Sequence, residues 1–196
     1  CDGVGDDHGR QRATGCGCGY GDLPLPRDLT SQLEKVQGGL TVGAHLPGSF
    51  MHIAVADLGE HLMSGLNAVA EKLPLVDVGP FYLNVTGLGT LGGQQPTEVY
   101  AEIDAARKLK ELHKQVGRCV RLAGLELPHE KYTPRVTLAE IYELEQFDLK
   151  QIMGFLQRRS GFTAGPFPVT EMCLYVRRED DEGVSQEELV RLPLGG

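Results

Sequence analysis

Two phrases in the chain, MHIAVADLG at residues 51–59 and TPRVTLAE at 133–140, share one pattern at an offset of 83 residues. Each opens on a polar residue and alternates with buried-type side chains, His52-Ile53-Ala54-Val55 in one and Arg135-Val136-Thr137-Leu138 in the other. Period-two alternation makes each a strand with one apolar face. It sets His52, Ala54 and Ala56 on the second face of the first strand, and Arg135 beside Thr137 on the second face of the other. Each strand precedes a predicted helix. That arrangement constrains the fold to two related halves, each contributing one strand to a shared cleft.

The rest of the chain supplies the layers around those strands. YGDLPLP from Tyr20 reads as a short strand, followed by a helix with Asp28 at its cap and Leu29, Leu33, Val36 and Leu40 on one side, stopped by Gly38 and Gly39. Residues 61–73 carry Leu62, Leu66, Val69 and Leu73 at helical spacing, and 105–123 carry Leu109, Leu112, Val116 and Val120. Strands are predicted at 81–88, 98–103, 168–177 and 189–194, and a shorter helix at 149–158. The acidic run 179–182 reads as a hairpin loop. This order of elements predicts an α+β fold with helices on antiparallel sheets.

Composition narrows the function. A formal net charge of −8 and a pI near 5.2 exclude an extended nucleic-acid surface but leave room for a local phosphate site. No apolar run reaches the roughly 18–20 residues of a membrane helix, and no signal-peptide pattern opens the chain. The chain reads as cytoplasmic, and as a fragment or a processed product, since no initiator Met is present. Five cysteines, an odd number in a chain of this size, fit reduced intracellular usage. Residues 1–19 are Gly-rich and nearly devoid of large apolar side chains, which predicts a disordered tail. Cys16 and Cys18 with His8 match no standard zinc spacing, and no metal is expected.

Five phrases in order resemble the 2H phosphoesterases, in particular the RNA 2',3'-cyclic phosphodiesterases also called 2'-5' RNA ligases. They are YGDLPLP, MHIAVADLGE, VTGLGTLGGQQPTEVYAEI, KYTPRVTLAE and GPFPVTEMCLYVRRE, spanning about Tyr20 to Leu194. The resemblance implies a bilobal domain over 20–196, a central cleft, and no cofactor. It implies two His-x-Thr motifs whose imidazoles flank a phosphate and whose hydroxyls hold its oxygens. Here His52 matches the first imidazole and Thr137 the second hydroxyl. Ala54 replaces the first hydroxyl, Arg135 the second imidazole, and Glu140 a customary Arg.

An imidazole can serve as acid or base near neutral pH. A guanidinium cannot shuttle protons but can clamp phosphate through paired hydrogen bonds. His52 is therefore the expected catalytic residue, Arg135 and Thr137 the expected phosphate clamp, and Tyr20 a candidate for stacking on a base or ribose. Strict alternation turns Glu140 to the opposite face, which only a bulge would reverse. His129 could swing in from its loop, although a solvated position is the simpler reading; His45, His61 and His113 have no assignable partner. GLGTLGG lacks the strand-to-helix setting of a nucleotide loop, and Ser64 and Ser160 lack nucleophile-elbow surroundings.

Two functions follow. One is a monomeric hydrolase that opens the 2',3'-cyclic phosphate of RNA ends or small nucleotides to a 2'-phosphomonoester. The other is a phosphate- or RNA-end-binding protein on the same fold with impaired catalysis. A shifted substrate, such as a cyclic nucleotide or a 2'-5' linked oligonucleotide, is a weaker third.

Overall fold

A computed structural model of the chain describes residues 16–195, apart from residues 105, 130, 181 and 182. In chain order the elements are β1 (Cys16–Pro24), α1 (Arg27–Gln37), the two-residue β2 (Ala44–His45), β3 (His52–Leu62), α2 (Met63–Lys72), β4 (Phe81–Leu91) and β5 (Glu98–Ile103). Then follow α3 (Arg107–Leu122), β6 (Arg135–Glu140), α4 (Gln146–Arg158), β7 (Ala164–Val169), β8 (Glu171–Asp180) and β9 (Gly183–Pro193). The strands form two sheets, one ordered β3-β1-β8-β9 and the other β2-β6-β5-β4-β7, with all pairings antiparallel. The α+β expectation of two antiparallel sheets with helices against them holds. No helix among the described residues is long and apolar enough to cross a membrane.

The helical stripes bury as their spacing dictates. Leu29, Leu33 and Val36 of α1, Leu66 and Val69 of α2, and Leu109, Leu112, Val116 and Val120 of α3 are all buried. They join Ile53, Val55, Val136 and Leu138 from the apolar faces of β3 and β6 in the hydrophobic core. Asp28 does not cap α1. Pro26 holds that position, and Asp28 lies in the first turn, where its charge meets the positive end of the helix dipole.

Further expectations are corrected. Cys16–Gly19 do not belong to a tail: they extend β1 and pair with Gly59–Leu62. Residues 1–15, including His8, lie outside the described residues. The same pairing keeps residues 61 and 62 in β3, so α2 begins at Met63 and Leu62 is exposed. Glycine is what the position needs. A Cβ on Gly19 would lie 2.6 Å from Leu66 Cδ2, so the missing side chain lets α2 seat directly on the strand. The predicted strand 168–177 is two strands that part at Thr170, with β7 in one sheet and β8 in the other. The residues of the 179–182 run split likewise: Glu179 and Asp180 end β8, while 181 and 182 lie outside the described residues.

Candidate functional site in the cleft between the sheets

β3 and β6 carry matching irregularities. Asp22 and Gly21 of β1 pair with Ala54 and Ala56, which skips Val55; Tyr100 and Val99 of β5 pair with Thr137 and Ala139, which skips Leu138. Each is a bulge that adds one residue and reverses the alternation beyond it. Val55 and Ala56 are consequently both buried, as are Leu138 and Ala139. Ala56 therefore leaves the face it was expected to share with His52, and Asp57 takes its place. Glu140 likewise turns to the side of Arg135 and Thr137.

Each bulge frees a carbonyl that a helix side chain satisfies. His113 of α3 pairs its Nδ1 with the Val55 carbonyl at 2.7 Å, and Gln37 of α1 donates from Nε2 to the Leu138 carbonyl at 2.6 Å. Since a carbonyl only accepts, His113 must carry its proton on Nδ1. The His113 ring stacks on Tyr132 at 4.0 Å between centroids, and the Tyr132 hydroxyl donates to the Ala54 carbonyl at 2.9 Å. The segment leading into β6 is thus tied to β3, and the cleft has a fixed floor.

His52, Ala54, Asp57, Arg135, Thr137, Glu140 and Tyr20 all line one cleft of about 730 Å³. Both halves therefore present residues at the same three register positions. His129 is exposed and not among the lining residues.

The polar contacts within the cleft involve residues that the motif pattern did not single out. Asp22, opposite Ala54 on β1, places Oδ2 3.4 Å from His52 Nε2, is 2% exposed, and leaves Oδ1 without a hydrogen-bond partner. Burial, reinforced by Asp57, pushes the Asp22 carboxyl up to about 8, with Arg177 opposing. Burial also lowers the His52 imidazole, so that it is neutral at pH 7, with a backbone hydrogen bond to Phe50 acting the other way. Glu98, on β5, accepts from Arg135 Nε at 2.9 Å and from the Thr137 hydroxyl at 2.7 Å. The expected clamp residues are therefore already held by one carboxylate.

Arg177, projecting from β8, also lines the cleft and takes part in none of the ion pairs among the described residues. It lies 5.8 Å from the Tyr20 ring centroid and 5.7 Å from that of Phe50, and its Nε is buried without an acceptor among the described residues. Tyr20 thus carries a guanidinium beside its face, where the sequence suggested a base or ribose. Sequence signals for these residues existed. Asp22 is a lone acid inside an apolar strand, Glu98 shares a face with Tyr100 and Glu102 in EVYAEI, and Arg177 continues the alternation of LYVRR.

Comparison with family models and with curated proteins finds no match. Solved structures do match. E. coli LigT complexed with 3'-AMP superposes with a TM-score of 0.73 at 16% identity, over 93% of this chain and all of that one. TT0787 of Thermus thermophilus gives 0.72 at 18% identity, over 91% and 98%. The MHV ns2 PDE domain gives 0.52 at 12% identity, over 88% and 98%. Together with the paired motif strands, these likenesses show that the chain has the fold of the 2H phosphoesterases.

Proposed function

We propose that the protein is a phosphodiesterase that opens a terminal 2',3'-cyclic phosphate, on an RNA end or a small nucleotide, to a 2'-phosphomonoester. The observation that carries this reading is the placement of His52 and of Arg135 with Thr137 at corresponding positions of β3 and β6, facing one cleft. E. coli LigT, which shares the fold, has been solved with 3'-AMP and with ATP. In the reaction a water oxygen bonds to phosphorus while the bond from phosphorus to the 3'-oxygen breaks. A neutral His52 takes the proton from that water, a role that its lowered proton affinity suits. Water in the open cleft supplies the proton to the 3'-oxygen, and the hydroxide so formed takes back the proton held by His52. Thr137 donates to a phosphoryl oxygen once it leaves Glu98. With one imidazole where two are usual, turnover falls about 10²- to 10⁴-fold below that of a two-histidine site.

The Arg135–Glu98 ion pair favours a second reading, a phosphate- or RNA-end-binding protein that no longer turns over. Hydrolysis of a nucleoside 2',3'-cyclic phosphate by wild type and His52→Ala separates the two. The enzyme reading expects slow wild-type hydrolysis that His52→Ala lowers by about 100-fold or more. Wild-type protein that binds a nucleoside 2'-phosphate without hydrolysing the cyclic compound establishes the binding protein instead.

A further inference from the structure

We propose that Arg177, rather than the motif residue Arg135, is the cation that holds the phosphate in this cleft. The inference rests on reading the cleft as a phosphate site, but it does not depend on turnover. The two arginines differ in what they already satisfy. Arg135 gives its Nε to Glu98 at 2.9 Å and one terminal nitrogen to the Thr133 carbonyl at 3.4 Å, and the Glu98 carboxylate is itself only 13% exposed. An anion arriving beside Arg135 meets that carboxylate as well, and a neutralised guanidinium has little attraction left to offer.

Arg177 takes part in none of the ion pairs formed among the described residues, whereas Arg178 pairs with Glu187 and Arg191 with Glu171 and Glu188. Its Nε is buried with no acceptor among the described residues, so within them the group keeps unspent donor capacity in a place where an unpaired donor is costly. Tyr20 and Phe50, at 5.8 and 5.7 Å, lie beside the guanidinium, and Arg177 lines the cleft together with His52, Arg135 and Thr137. Its charge acts on Asp22 and His52 of the first half, and the residue lines the same cleft as Arg135 and Thr137 of the second. A phosphate between the motif strands is therefore within the field of Arg177. Lys131, also on the cleft wall, is exposed, and water screens it.

Titration calorimetry with adenosine 2'-monophosphate, inorganic phosphate and adenosine tests the assignment. Arg177→Gln is expected to weaken the nucleotide and inorganic phosphate at least tenfold and adenosine less than twofold, and Arg177→Lys to recover part of the loss. Arg135→Gln is expected to change nucleotide binding less than threefold. Three results overturn the proposal: Arg177→Gln binding as wild type, Arg135→Gln carrying the larger loss, or wild type binding neither phosphate compound. A circular dichroism melt of Arg177→Gln, with Arg177→Lys beside it, separates lost binding from lost folding. Binding that depends on Arg177 in a protein without hydrolysis removes the catalytic reading and leaves this assignment standing.

Discussion

Replacing Asp22 with Asn should stabilise the fold at neutral and alkaline pH while altering the cleft. A carboxyl whose affinity for its proton is raised on folding, here from an ordinary 3.8 to about 8, weakens the native state as pH rises. Below pH 3.8 the group is protonated in both states and has no such effect. Between 3.8 and 8 the folded protein must hold a proton that the unfolded chain releases, which costs about 1.4 kcal/mol per pH unit, and above 8 the cost is constant. The penalty is therefore about 1.5 kcal/mol at about pH 5 and about 5 kcal/mol at about pH 8. Asn carries no such term but gives up the contact with His52, worth about 1 kcal/mol. Urea denaturation of wild type and Asp22→Asn at both pH values should show near-equal stability at about pH 5 and a variant about 4 kcal/mol more stable at about pH 8, with unchanged m. Stability curves that run parallel between those two pH values would refute the reasoning, because they would mean that Asp22 is ionised inside the fold.

Glu98→Gln removes the charge shared by Arg135 and Thr137, and calorimetry should show inorganic phosphate bound several-fold more tightly than by wild type. Gly19→Ala places a methyl against buried Leu66 and should cost about 1–3 kcal/mol in urea denaturation; a neutral effect would mean that this stretch does not join the sheet.

What could be read from the sequence was whatever depends on period alone. The inward residues of α1 and α3 follow from 3.6-residue spacing, and the strand character of β3 and β6 from alternation. Where two chain segments decide the outcome together, local pattern fails. Gly17 and Gly19 look like tail residues until β8 and α2 fill the space beside them. The bulges at Val55 and Leu138 depend on His113 and Gln37, which are remote in sequence and donate to the displaced carbonyls. Asp22 and Arg177 line the cleft from β1 and β8, Glu98 of β5 holds Arg135 and Thr137, and only strand order brings those elements beside the motif strands.

The matching bulges of β3 and β6 give the cleft a frame with two equivalent sides, yet the sides are furnished differently. One offers an imidazole and a methyl, the other a guanidinium and a hydroxyl. Two identical walls would accept a ligand in either direction with equal ease. Unlike walls give it a preferred direction, so a ligand entering this cleft meets a front and a back that differ in chemistry.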